Sequence, residues 1–199
     1  MNKIIYLTYQ TFPSDTANTL QTIDNAKYMK RKGCEIEIVF PLRSALSTDN
    51  IDKIKDHYRF NDDIQFRGIE HNLPFGKYMI FEKYLYLFSH LIWSKKVTKI
   101  YNKIDLHNTM FFTRSDWIFY FLSKKEAKVT FECHQLTKLR KWIIKNAIKK
   151  VHSKIIFLND LLKIDSGISE SNSKKLLVLQ NGVDSDLFVD EEQDQNNEV

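Results

Sequence analysis

A carboxylate and an imidazole stand two residues apart in Glu132-Cys133-His134, at the end of the apolar, β-branched run Lys128–Cys133. Alternate residues of a strand share a face, so Glu132 and His134 point to one side. An imidazole so placed can hydrogen-bond a ligand hydroxyl, position a reacting group, or carry a proton near neutral pH. It can equally be a structural histidine at the end of a buried strand. Glu132 can orient the ring or pair with a neighbouring cation. Arg114, in Phe112-Thr113-Arg114-Ser115, follows another short strand-like run. Its guanidinium can grip a phosphate or an acidic group with two hydrogen bonds, or pair with Asp116 at a helix start. Thr16 and Asn18 offer a hydroxyl and an amide from the glycine-free loop Phe12–Asn18, and Asn181-Gly182 forms a turn. No second Cys/His pair accompanies Cys133 and His134, so neither a metal site nor a cofactor is expected.

These residues need a scaffold that places strand ends side by side. Short apolar runs alternate with helical stretches along the whole chain, which predicts an α/β fold: a Rossmann-like, doubly wound, mostly parallel sheet of about seven strands with helices on both faces. Strands are expected at Lys3–Thr8, Glu35–Phe40 (closed by Pro41), Ile64–Ile69, Thr109–Thr113, Lys128–Cys133, Lys154–Leu158 and Lys175–Gln180. The first helix is expected after Pro13-Ser14-Asp15, with Leu20, Ile23, Ala26 and Met29 on its apolar stripe. It closes on Lys30-Arg31-Lys32-Gly33, with cations in the last turn and a glycine just past it. Further helices are expected at Asp49–Tyr58, within Phe75–Lys103, at Ser115–Ser123, at Leu139–His152 and after the Asn159-Asp160 cap. In such sheets ligands bind at the carboxyl ends of strands, where Arg114, His134 and the Tyr9–Asn18 loop all fall.

Charge is distributed unevenly. The net charge is +5, yet residues 1–189 carry 30 basic side chains against 20 acidic ones. The tail Asp190–Val199 is acidic and polar, reads as disordered, and resembles a natural solubilising terminus. A basic body suits an anionic partner. Two segments, Phe75–Lys103 and Lys138–Lys154, mix aromatics with lysines and suit either an anionic membrane surface or the solvated outer face of a sheet-covering helix. No nucleic-acid-binding motif accompanies them. No apolar run is long enough to span a membrane, and Cys34 and Cys133 suit a reducing compartment, so a cytoplasmic location is expected, peripheral to the inner face of the membrane if those segments engage it.

Five elements, in order and each at a strand end, resemble the retaining GT-B glycosyltransferases of family 4. Arg31-Lys32-Gly33-Cys34-Glu35-Ile36 is similar to that family's basic-G-x-E-V segment, and Thr113-Arg114-Ser115 to its (Y/T)-R-(S/N) element. Phe131-Glu132-Cys133-His134 resembles its (Y/F)-E-x-H strand end, and Ile155–Asn159 its next strand. Asn181-Gly182-Val183-Asp184, followed by Leu187-Phe188, is similar to the signature that closes the family's N-terminal domain. The first loop departs from the glycine pair of many relatives and resembles an S-x-N subtype, which favours acceptor contacts from Thr16 and Asn18 over a diphosphate cradle.

The resemblance covers residues 1–188 and implies the acceptor-side half of a sugar-transferring enzyme, with residues 189–199 as its tail. The donor-binding domain would lie outside this chain, and the nucleotide-sugar would be a co-substrate of the complete enzyme. His134 would line the cleft as the catalytic residue, with Thr16, Asn18, Arg114 and Glu132 at the acceptor and Asn181 and Gly182 at the hinge to the donor half. The acceptor would be a glycan or a lipid-linked glycan of envelope polysaccharide assembly, and the chain alone would be inactive. The alternative is a non-catalytic subunit that binds an acceptor or a partner and works with a separate donor-binding chain.

Overall fold

The computed structural model describes residues 3–43, 47–71, 73, 82–101 and 108–180. The described strands form one seven-stranded, wholly parallel sheet. They are β1 (Lys3–Leu7), β2 (Glu35–Leu42), β3 (Gln65–Glu70), β4 (Thr109–Thr113), β5 (Lys128–Cys133), β6 (Ser153–Phe157) and β7 (Leu176–Val178). The helices are α1 (Ala17–Arg31), α2 (Ile51–Tyr58), α3 (Glu82–Ile100), α4 (Asp116–Lys124), α5 (Lys138–Ala147) and α6 (Asp160–Ser166). The spatial order is β3-β2-β1-β4-β5-β6-β7. Progression runs one way from β1 through β2 to β3 and the other way from β4 to β7. The reversal falls between β1 and β4, where crevices open in sheets of this kind.

Strand alternation divides the core into two layers. Ile5 and Leu7 face a cluster with Val39, Phe111, Phe131 and Phe157, covered by Trp93 and Val97 of α3, Phe119 and Leu122 of α4, and Ile144 of α5. Ile4 and Tyr6 face the other way, with Ile38, Phe40 and Phe112, under Ile23 and Ala26 of α1 and Ile54 of α2. The ends of β1 and β4 are tied together beside the crevice. Thr113 Oγ1 donates to the Leu7 carbonyl at 2.7 Å. Trp93, fully buried, donates its indole N–H to the Thr8 carbonyl at 3.2 Å and so fixes α3 against the same strand end. A side chain of that size stabilises the fold by roughly 2–3 kcal/mol through burial.

Several boundaries differ from those the sequence predicts. Strand β2 runs two residues past Phe40, with Pro41 opposite Ile69. Pairing with β1 has ended at Val39, so the missing proline N–H falls where β2 has a partner on one side alone. The first helix is capped by Thr16, which accepts from the Thr19 amide, and the Ser14 backbone is held by the Tyr58 hydroxyl instead. Its buried stripe is Thr19, Thr22, Ile23 and Ala26, while Leu20 is exposed. Both threonines can be buried because their hydroxyls bond to the helix's own carbonyls, at Thr16 and Asn18. The expected glycine stop holds: Gly33 has a φ of 85°, which glycine adopts without a Cβ penalty.

The helix expected to continue to His152 stops at Ala147. Lys175 supplies the stop from a distance, its ammonium bonding the Ile148 and Lys150 carbonyls at 3.0 and 2.9 Å, a favourable placement for a cation. Lys175 is therefore outside the last strand, which is shorter than Lys175–Gln180. It ends the 3-10 turn Glu170–Lys175, an element the sequence pattern does not reveal.

Candidate functional site

A cleft of about 180 Å³ opens at the carboxyl end of the sheet, at the β1/β4 reversal. Thr8, Tyr9 and Gln10 reach it from the end of β1 and Asn18 from the start of α1. Arg114 and Ser115 enter after β4, Glu132 from β5, and His134 and Gln135 just beyond it. Tyr86 and His90 of α3 and Arg140 of α5 close the remaining wall.

Glu132 is the hub. Its carboxylate is almost fully buried, and one oxygen accepts from Arg114 Nη2 at 2.8 Å and from His134 Nε2 at 2.6 Å. The other oxygen accepts from the Asn25 side-chain amide at 3.3 Å. Burial pushes this carboxyl upward, but the hydrogen bonds from His134 and Arg114 and the arginine's charge outweigh it and hold it below the usual range. The ionised form is therefore the resident one. Its bond to Nε2 leaves His134 with Nδ1 as the other ring nitrogen, and the ring is partly open to the cleft. Arg114 spends its second terminal nitrogen on the Asn18 carbonyl at 3.2 Å. Both ends of its fork are engaged, so here Arg114 holds the cluster together and does not present a free two-pronged grip. It does not pair with Asp116, which binds Arg140 Nε at 3.1 Å.

A second network forms the wall opposite. Tyr9 stacks on His90, with ring centres 4.6 Å apart, and the Arg43 guanidinium lies over the Tyr9 ring at 4.7 Å. The Tyr9 hydroxyl meets Ser89 Oγ at 2.6 Å, and His71 Nε2 meets the same oxygen at 2.8 Å. His90 Nε2 lies 2.7 Å from Ser115 Oγ, which also caps α4 by accepting from the Ile118 amide. Burial pushes the His90 pKa down to about 4, against the raising influence of Asp116 and with the charges of Arg140, Arg43 and His71 adding to it. His71 is likewise lowered to about 4 by burial and by the charges of Arg43 and Lys96. Both imidazoles are neutral at physiological pH. The cleft thus offers neutral donors and acceptors beside buried, internally compensated ion pairs, a lining suited to hydroxyl-rich ligands.

Of the residues singled out in the sequence, Asn18, Arg114, Glu132 and His134 converge on this cleft. Thr16 does not line it, and its hydroxyl is occupied in capping α1. Asn181 and Gly182 lie outside the described residues, as does the tail. Tyr86, His90 and Arg140 were not anticipated. A signal for the first two exists: Tyr86, His90, Trp93 and Val97 recur at helical spacing, placing a histidine within an inward-facing stripe. Among the described residues no group of His, Cys, Asp and Glu could hold a metal ion. Both cysteines are free, and burial pushes the Cys133 thiol up to about 11.

No protein-family model matches the sequence, and neither does any curated protein. Solved structures do match the fold. The catalytic domain of starch synthase IV from Arabidopsis thaliana, bound to ADP and acarbose, aligns with a TM-score of 0.59 at 12% identity over 93% of this chain and 52% of that one. LpCGTa in complex with UDP aligns with a TM-score of 0.56 at 8% identity over 95% of this chain and 55% of that one. The chain thus spans about half the length of each, and its Rossmann-like α/β sheet matches half of a GT-B glycosyltransferase.

Proposed function

We propose that this chain is the acceptor-binding N-terminal half of a retaining, family 4-like glycosyltransferase, transferring a sugar from a nucleotide-sugar to a glycan or lipid-linked acceptor in envelope polysaccharide synthesis. The observation that carries the reading is the Glu132–His134–Arg114 cluster, set in a cleft at the β1/β4 reversal of a sheet that matches half of a GT-B enzyme. Its resemblance to the family's strand-end motifs supplies the N-terminal assignment, and the sugar and nucleotide ligands of the two structural neighbours agree with it.

In the transfer, the bond from the sugar's anomeric carbon to the donor phosphate breaks, a new bond to an acceptor oxygen forms, and the nucleoside diphosphate departs with the proton of the acceptor hydroxyl. A second domain holds the nucleotide-sugar. In this half, Glu132 fixes the His134 ring through Nε2, leaving Nδ1 to accept a hydrogen bond from a sugar or acceptor hydroxyl. Arg114 braces the carboxylate and the start of α1, and Asn18 borders the same space.

The reading is tested by His134→Ala with the chain joined to a donor-binding half. Loss of a positioning group beside the reacting carbon should lower kcat by about 100-fold or more, while folding stability falls by only about 1–2 kcal/mol, because Arg114 and Asn25 still hold the Glu132 carboxylate. Parallel loss of both, or turnover unchanged, would return His134 to a purely structural role.

A further inference from the structure

The helical layer beside the cleft has an outer surface unlike an ordinary solvated one. α4 lies between α3 and α5 and packs on both. Tyr84, Leu87 and Phe88 stand exposed in the first turns of α3, Phe88 by 60%. Leu139 and Trp142 do the same in the first turns of α5, Trp142 by 53%. Between them α4 carries half-buried rings: Trp117 stacks with Phe121 at 6.1 Å, and Tyr120 meets Trp142 at 5.9 Å. These residues sit at the same ends of the helices as Tyr86 and Arg140, which line the cleft.

The same helices also carry cations. Lys95 and Lys99 are exposed on α3, Lys124 on α4, and Lys138 and Lys145 on α5. Lys124 Nζ lies 4.4 Å over the Tyr120 ring. From Tyr84 to Ile100, and throughout α4 and α5, the sole acid is Asp116, which is buried and bound to Arg140. A solvated helix layer mixes both signs of charge. Here the acids stand at the margin: Asp165 of α6, paired to Lys141, and Glu126 just after α4. Exposed aromatic tips and lysines on helical stretches that themselves carry no exposed acid match the headgroup region of an anionic bilayer, where rings sit at the interface and long cationic stems reach phosphates. A second copy of the chain would set like charges against each other across a symmetric contact. No helix among the described residues is long and apolar enough to cross a membrane, so the contact would be peripheral.

We propose that the outer face of α3, α4 and α5 docks on an anionic lipid surface, bringing the mouth of the cleft to the headgroup layer. This goes beyond the sugar-transfer reading and is tested without it. The 199-residue chain is sedimented with vesicles of phosphatidylcholine alone and of phosphatidylcholine mixed with phosphatidylglycerol. Binding is expected for the mixed vesicles alone, weakening with salt, with a blue shift of tryptophan emission as Trp142 leaves water. Each cation near an anionic surface strengthens binding about fivefold. The triple change Lys124→Gln, Lys138→Gln and Lys145→Gln should therefore weaken it about a hundredfold, and Trp142→Ala should remove most of the blue shift. All four residues are exposed, and circular dichroism checks that the variants fold. Absence of binding at low salt, equal binding to neutral vesicles, or a triple variant that binds like the parent would each overturn the proposal. So would a dimer that the same substitutions dissolve in the absence of vesicle binding, which would assign the face to a second copy.

Discussion

Replacing Glu132 by Gln keeps the shape of the side chain and removes its charge, and the consequence can be worked from the contacts it makes. The carboxylate lies 2.8 Å from Arg114 and 2.6 Å from His134, and the Glu132 and Arg114 side chains are 5% and 9% exposed. Breaking a buried pair by removing one partner costs about 3–5 kcal/mol, because the other charge stays buried without compensation. The amide oxygen can still accept one of the two donors, so the lower end, about 3 kcal/mol at neutral pH, is expected. For a chain of this length that corresponds to a drop in Tm of roughly 6–12 °C.

The pH dependence sharpens the test. The folded carboxyl lies below its ordinary range, so its contribution is present above the unfolded pKa and is lost as pH falls through the folded one. The stability gap between the parent and Glu132→Gln should therefore close on acidification. Denaturant unfolding followed by circular dichroism, at neutral pH and through the acid range, measures both quantities. A gap below about 1 kcal/mol at neutral pH, or one that widens in acid, would refute the picture of a charged hub.

Two further predictions concern the opposite wall. With a folded pKa of about 4 against an unfolded value near 6.5, His90 binds its proton more readily in the unfolded chain, so stability falls as pH drops between these values. His90→Gln should flatten that fall by roughly 3 kcal/mol in acid unfolding curves, and an unchanged slope would contradict the assignment. Ser115→Ala removes the α4 cap and the partner of His90 together. A loss of about 2 kcal/mol in chemical denaturation is expected, whereas a loss under about 0.5 kcal/mol would mean that solvent satisfies both groups.

The parallel sheet was legible in the sequence because its central strands are buried on both faces and read as apolar runs, unbroken in Ile4–Leu7 and interrupted by Glu37 in Ile36–Phe40. Helix starts were legible where a local side chain makes the cap, as at Asn159 and Ser115. Helix ends set by distant groups were not. Nothing near His152 reveals that Lys175 will bond the carbonyls after Ala147. The same division holds in the cleft. Glu132 lies near the end of β5 and His134 two residues on, just past it, so their meeting follows from local spacing. Arg114 reaches Glu132 because β4 and β5 are adjacent, and Tyr9 stacks on His90 across a separation of 81 positions. Contacts of that kind depend on topology, and local spacing carries no trace of them.

The central claim, that this half recognises the acceptor, is tested most directly by saturation-transfer NMR on the chain itself, with a panel of oligosaccharides and with UDP and ADP as separate ligands. The account predicts magnetisation transfer to an oligosaccharide, lost when Asn18→Ala and His134→Ala are combined, and none to either nucleotide. Transfer to a nucleotide with every oligosaccharide silent would contradict it and move this chain to the donor side of the enzyme.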